Sequence, residues 1–300
     1  METAAILTLP SFAKINLHLQ VIGRRADGFH DLCTVFQTIS LHDSLIIQCD
    51  DEIRLTCDDE DIPAGEGNLL VRAAVLLRET YGIKQGARIC LEKRIPAPGG
   101  LGGGSSNAAV TLLALRKLWN IDVSIEDLHP LAAKLGSDIP FFLYGGTALG
   151  MGRGEIVEPI EDFAEEFMVV VAPNVAVATR DAFKRLMARN LTKQESKRIL
   201  RNCRFDLEAA DFKHTAFKND FEISVFATYP EVERVKNTLL DLGAERAMLS
   251  GSGGSVFAVF DKEETRQAAL KALDKEVNWR KFAVTTISRN KYREALKQVF

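Results

Sequence analysis

Between Ile95 and Leu115 the chain carries no charged residue. The stretch opens with Pro96-Ala97-Pro98-Gly99-Gly100-Leu101-Gly102-Gly103-Gly104-Ser105-Ser106-Asn107 and runs on as an apolar segment toward Trp119. Glycines lack Cβ atoms, so five of them in a short loop leave backbone N–H groups free to close around an anion. The helix read from about Ser106 to Trp119 adds its own unpaired N–H groups and the positive end of its dipole. Ser105, Ser106 and Asn107 supply hydroxyl and amide groups as ligands or caps. A helix whose opening turns lack charge has to be buried, so the fold must wrap this helix in core and leave a glycine mouth at one end. No lysine follows the last glycine and no glycines fall at i, i+2, i+5, which excludes both the Walker A loop and the dinucleotide fingerprint. The prolines and glycines also disqualify the stretch as a membrane span.

Patterns on either side place this loop in a mixed fold. Residues 11–22 alternate, with Ile15, Leu17, Leu19 and Val21 on one face and Lys14, Asn16, His18 and Gln20 on the other, the period of a half-buried strand. Taken alone, that period favours a solvated face for Lys14 and Asn16. Asp27-Gly28 marks a turn, and 32–41, 44–49 and 87–92 read as further strands. Apolar spacing predicts a helix from Asn68 to Thr80, ending near Gly82. Ser124-Ile125-Glu126-Asp127 resembles a capping box and starts a helix that stops at Gly136. From about residue 165 the pattern restarts: strand 167–172, helix 180–189, helix 230–242 with Gly243 as cap, strands 246–249 and 256–260, helix 262–274 and strand 281–288. That order suggests a ferredoxin-like α+β layer. Segment 190–220 reads as a helical or loop insertion. At 300 residues the chain is about twice the usual domain length, and the expected division is 1–160 and 161–300.

A net charge of -3 and a pI near 6.0 weigh against a nucleic-acid partner. The five cysteines form no C-x-x-C pair, which fits reduced thiols, and the N-terminus has no basic segment ahead of an apolar run; a cytoplasmic protein with no membrane partner is expected. No histidine has metal-ligand spacing. Three further segments are ambiguous by themselves. In Gly136-Ser137-Asp138-Ile139-Pro140-Phe141-Phe142 an acid enters an apolar run, as a turn residue or as a base. Asp27-Gly28-Phe29-His30 leads a turn into an aromatic ring and an imidazole, and a lone histidine is more often structural. Ser250–Ser255 is either a tight turn between strands or a second wall around a phosphate site.

In order and spacing these segments resemble the GHMP small-molecule kinases: a lysine-bearing first strand, the Pro-x-x-Gly-x-Leu-Gly-Gly-Gly-Ser-Ser loop, the Gly-Ser-Asp-x-Pro-Phe-Phe acid and a Ser-Gly-Ser-Gly-Gly loop near the end. Ala13-Lys14-Ile15-Asn16-Leu17 and Arg25-Ala26-Asp27-Gly28-Phe29-His30 resemble the branch that phosphorylates a CDP-linked methylerythritol. The resemblance implies an α+β two-domain architecture, with an N-terminal ribosomal-protein-like ATP-binding domain and a ferredoxin-like C-terminal domain. It implies ATP as phosphoryl donor, with Mg2+. Asp138 would be the general base, and Lys14 the cation that polarises the hydroxyl and the γ-phosphate. Residues 96–106 would hold the ATP phosphates, with Asn68 and Lys93 near the adenine. His30 would read the cytosine, Phe29 and Phe183 would stack on it, and Asn16 and Thr179 would add substrate contacts. Phe29 stands where tyrosine is common and Pro98 where glycine is common. Ser105 is a candidate metal ligand, and a monomer or homodimer is expected. Two other readings share the glycine loop. A kinase acting on homoserine or mevalonate has no use for a cytosine reader. A regulator without catalysis has no use for both Lys14 and Asp138. A third reading, an RNA-associated protein, is disfavoured by the acidic pI.

Overall fold

The computed structural model describes residues 5–186, 195, 201 and 217–300. The insertion read at 190–220 lies largely outside these residues. Strand β1 (Ile6–Arg24) and strand β2 (His30–Asp50) form a long antiparallel pair joined through the Asp27-Gly28 turn. One edge of β2 pairs with β1 over nearly its whole length. The other edge is shared, with β5 (Thr147–Gly152) along Leu32–Gln37 and β4 (Gly86–Glu92) along Ser44–Asp50. Strands β3 (Arg54–Cys57) and β6 (Ile156–Pro159) extend the sheet at its two ends. Segments 32–41 and 44–49 are therefore one strand, because His42 and Asp43 stay paired to β1 where sequence polarity suggested a break.

Helices α1 (Leu69–Tyr81), α2 (Gly103–Leu118) and α3 (Ile125–Leu135) cover one face of that sheet. Asn68 caps α1 by accepting the Leu70 N–H, and Gly82 ends it in the left-handed region at φ +64°. The capping box at Ser124 and Asp127 is formed, with both reciprocal hydrogen bonds present. Helix α2 begins three residues earlier than its composition suggested, at Gly103, and is buried on all sides from Ser106 to Leu115.

The second half is a four-stranded antiparallel sheet in the order β10 (Trp279–Val284), β7 (Met168–Pro173), β9 (Val256–Val259), β8 (Arg246–Leu249). This is the ferredoxin-like order expected. Helix α4 (Thr179–Arg185) and helices α5 (Phe221–Thr228) and α6 (Pro230–Asp241) fall between β7 and β8, and α7 (Glu263–Ala272) falls between β9 and β10. Both faces of the sheet are buried. Met168 and Val170 point into a core with Ile15, Leu17, Val35 and Ile39 of the first sheet, while Val169 and Val171 pack under α5 and α6. Strand β1 thus lies between layers, which explains why its polar alternate positions are not solvated: Lys14, Asn16 and His18 are all buried. β-Bulges at Phe12/Lys14 and Asn16/His18 interrupt the strict alternation. Cys49, Cys57 and Cys90 are free thiols, whereas Cys33 is disulfide-bonded, so the expectation of reduced thiols does not hold for all five cysteines.

The chain closes with α8 (Arg289–Ala295), which returns to the first sheet's core. Its Tyr292 is fully buried, its ring lies where a Cβ on Gly145 would stand, and its hydroxyl donates to the Phe142 carbonyl. Burial pushes the Tyr292 phenol far above its usual pKa. Removing the ring should open a large cavity behind the 3-10 turn Pro140–Leu143. Tyr292→Ala is expected to lose about 3–5 kcal/mol in urea unfolding, and Tyr292→Phe about 1 kcal/mol for the lost hydrogen bond.

Candidate active site

A cavity of about 980 Å³ lies where β1, β2, the glycine loop, the Ser250–Ser255 turn and α4 meet. Lys14, Asn16, Gly100, Gly102, Asp138, Gly251 and Ser252 line one end; Phe29, His30, Arg24, Arg153 and Phe183 line the other. Residues far apart in sequence thus share one space.

At the first end the Lys14 side chain is only 3 % exposed, and its Nζ lies 3.4 Å from Asp138 Oδ2, whose side chain is 36 % exposed. The ammonium also donates to Asn16 Oδ1 at 2.6 Å, Asn16 Nδ2 donates to Thr34 Oγ1 at 2.7 Å, and the Thr34 hydroxyl donates to the His18 carbonyl. Every link in this chain runs in one direction, so Lys14 is held as a donor aimed at the cavity. Nζ also sits 5.6 Å from the centroid of the Phe36 ring. Asn16 therefore orients the lysine as well as facing the cavity. Asp138 is carried between the end of α3 and the Pro140–Leu143 turn, with Gly154 beside it.

The glycine loop is fastened on two sides. Lys14 N–H donates to the Leu101 carbonyl at 2.9 Å, and a Cβ on Gly102 would lie 2.9 Å from Lys14 Cγ. Gly102, at φ +70°, therefore leaves the space through which the lysine stem passes. On the other side the loop meets Ser250–Ser255 backbone to backbone. Ser255 N–H donates to the Gly99 carbonyl at 3.1 Å, the Ser250 hydroxyl donates to the Gly100 carbonyl at 3.1 Å, and a Cβ on Gly253 would lie 2.3 Å from Gly100 N. The Ser250–Ser255 segment is thus a wall of the site as well as a turn. The mouth of α2 opens at Gly102, Gly103, Gly104 and Ser105; Gly104 is exposed, with only Leu69 within ordinary contact of a Cβ there. Ala97 and Pro98 are exposed next to this mouth, while Pro96, Gly99 and Leu101 are buried beneath it.

Three of the residues expected to contact ATP have their side chains engaged within the protein. The Ser106 side chain, in the opening turn of α2, is buried and accepts from the Ser11 hydroxyl at 2.7 Å. Asn68 is occupied as a cap, with its Nδ2 donating to the Pro63 carbonyl. Lys93 turns inward to Asp43, a fully buried carboxylate. Pairing across 50 positions leaves no local sequence signal, and Asp43 was not among the expected residues.

At the other end the His30 and Phe183 rings stack, with centroids 5.0 Å apart and planes 26° from parallel. Phe221 meets Phe183 edge-on. Phe29 is exposed, and its ring carries the Arg153 guanidinium at 5.1 Å, itself tied to Glu155. Burial, and then the charge of Arg24, hold the His30 imidazole below its usual pKa, so it is neutral at pH 7. Thr179 is the first residue of α4, and its side chain lies outside what the structure describes. Thr34, Arg24 and Arg153 were not expected from sequence; only their place in the cavity marks them.

Residues 68–146 match the family model for the GHMP kinases N terminal domain and residues 195–278 that for the GHMP kinases C terminal. The chain is 38% identical over 269 residues to 4-diphosphocytidyl-2-C-methyl-D-erythritol kinase of Thermodesulfovibrio yellowstonii, covering 89% of this chain and 94% of that protein. This chain is a GHMP kinase. The enzyme of the same name from Chlorobium limicola is 42% identical over 265 residues, covering 88% of this chain and 92% of its own. A crystal structure of 4-(cytidine 5'-diphospho)-2C-methyl-D-erythritol kinase superposes with a TM-score of 0.75 at 34% identity, covering 93% of this chain and 99% of that one. Homoserine kinase from Cytophaga hutchinsonii, at 22% identity and a TM-score of 0.65, shares the fold. As a member of this family, the chain is an ATP-dependent small-molecule kinase. Among the described residues no helix is long and apolar enough to cross a membrane.

The GHMP loop gives two distinguishable glycine variants. Gly104→Val has open space around it and should leave the melting temperature near the parent's while weakening ATP about tenfold or more, a loss near 1.4 kcal/mol. Gly253→Ala drives a Cβ into the Gly100 backbone, so it should lower both melting temperature and ATP affinity. Thermal melts and titration calorimetry on the two variants check this.

Proposed function

We propose that this kinase transfers the γ-phosphoryl group of ATP to the 2-hydroxyl of 4-diphosphocytidyl-2-C-methyl-D-erythritol, in the non-mevalonate route to isoprenoid precursors. The observation that carries the reading is the single cavity joining the Lys14–Asp138 pair to the His30–Phe183 shelf. One end suits phosphoryl transfer, and the other suits a nucleobase. The relatives that match over most of the chain bear this enzyme's name.

In this reading ATP lays its phosphates along the glycine mouth, where the first turn of α2, open at Gly104, supplies N–H groups and the positive end of the dipole. The substrate hydroxyl sits beside Asp138. Its oxygen bonds to the γ-phosphorus as the bond to the bridging oxygen of ADP breaks, and its proton passes to the Asp138 carboxylate. Lys14, fixed by Asn16 and the Thr34 hydroxyl, stabilises negative charge on the transferring oxygens without having to reorganise. Bound with the nucleotide, Mg2+ would supply positive charge against the phosphate oxygens. The Ser105 hydroxyl, in the opening turn of α2, would be the protein's ligand to an ion otherwise held by phosphates and water. The neutral His30 imidazole hydrogen-bonds the cytosine edge, and Phe183 and Phe29 offer faces to the ring. Arg153, over Phe29, adds a cation at this end.

The reaction itself is checked by incubating the protein with ATP, Mg2+ and the CDP-linked alcohol and following the new phosphate monoester by 31P NMR; turnover of homoserine or mevalonate in its place would overturn the substrate. Lys14→Met and Asp138→Asn should each lower kcat about 10²-fold or more, with a smaller change in substrate KM. The double variant should be little worse than either single one, as expected of residues acting as a unit. The lowered His30 pKa also sets a pH dependence: substrate KM should stay flat from pH 8 down to about 6.5 and rise only further into acid, as the imidazole gains a proton. His30→Asn should raise KM and remove that acid limb.

A further inference from the structure

We propose that Asp43 is the positioning residue of the phosphate loop, its buried carboxylate fixing both limbs of the loop at the spacing that ATP requires. The inference rests on reading the glycine mouth as the ATP phosphate site. Asp43 belongs to β2, has no exposed surface and is not among the residues that line the cavity, so it acts through other groups.

Its two oxygens gather donors from both sides of the loop. Oδ1 accepts the Arg94 N–H at 2.7 Å and the Ile95 N–H at 2.8 Å, the backbone that leads into Pro96. Strand β4 has ended at Glu92, so those N–H groups have no ladder partner, and that of buried Ile95 would otherwise be left unpaired. Oδ2 accepts Asn107 Nδ2 at 3.0 Å, in the first turns of α2 beyond the glycines. Both oxygens accept from Lys93 Nζ, at 3.2 and 2.9 Å. One carboxylate therefore ties the entry limb to the exit limb.

The charges make the arrangement specific. A Cβ on Gly103 would lie 3.2 Å from Lys93 Nζ, so a buried ammonium lies under the opening turn of α2. A cation at a helix N-terminus opposes the dipole. Asp43 offsets that charge and keeps the mouth's N–H groups directed at an incoming phosphate. An asparagine at this position would lose the charge that pairs Lys93 and turn an NH2 group toward its ammonium, donor against donor; the Asn107 amide can flip to accept but Lys93 cannot, so the neutral isostere does not replace the carboxylate.

The test compares Asp43→Asn, Lys93→Met and the double variant in full-length protein, with ATP and the CDP-linked alcohol titrated separately by calorimetry below each melting temperature. Asp43→Asn should weaken ATP about tenfold or more and the alcohol less than about twofold. The double variant has no unpaired buried charge; it should recover melting temperature yet bind ATP several-fold more weakly than Lys93→Met alone. ATP binding by the double variant equal to that of Lys93→Met would overturn the proposal, as would equal losses for both ligands. Gly104→Val separates the two readings. If it weakens ATP while the Asp43 variants do not, the positioning role fails and the phosphate site stands. If Gly104→Val leaves ATP unchanged, both fail.

Discussion

The site depends on the passage of one side chain across one glycine. Lys14 runs over Gly102 with its backbone N–H on the Leu101 carbonyl and its ammonium between Asn16 and Asp138. A side chain at position 102 would displace the lysine, and a shifted loop would release its backbone. Loop position and charge position are therefore set together. A buried ammonium is tolerated only with partners that compensate its lost hydration, and here they come from β1, β2 and the segment after α3. The acid, the cation and the mouth are held by one set of contacts, as phosphoryl transfer requires of groups that work mainly by placement.

A second glycine contact completes the assembly. Gly100 and Gly253 meet backbone to backbone, so the second sheet's turn is part of the first domain's loop. Asn219 strengthens the join by donating to the Leu249 and Gly251 carbonyls, next to the residues that bridge to Leu19 of β1. The cavity floor is formed by neither half alone.

Local signals in the sequence were faithful where the structure depends on local geometry. Asn68 and Gly82 mark the ends of α1, Ser124 and Asp127 form their box, and the uncharged run after the glycines is a buried helix. Lys14 and Asn16 show the limit of periodicity. Alternation placed them on a polar face, but a second sheet covers the strand, and only resemblance to a family gave them a role. Asp43 and Arg153 were hidden for a different reason. Each is defined by a partner brought near by topology, Lys93 and Phe29 respectively, and no short-range pattern encodes such a pair. Helix α5, apolar nearly all round, gave no amphipathic period, and short α8 is recognised only by the pocket that Tyr292 fills.

Strand β1 contributes Leu7, Leu9 and Phe12 to one core, Ala13, Ile15 and Leu17 to a second, and Leu19 to a third. A continuous strand through all three cores is poorly suited to serve as a hinge, since pivoting the two halves about it would strip its ladder from β2. It also restricts how relatives of this chain can be recombined. A graft of the C-terminal sheet from another kinase would have to match the inward-facing residues of this one strand, so neither half can be exchanged unless its packing matches the other's, even though each has the outline of a separate domain.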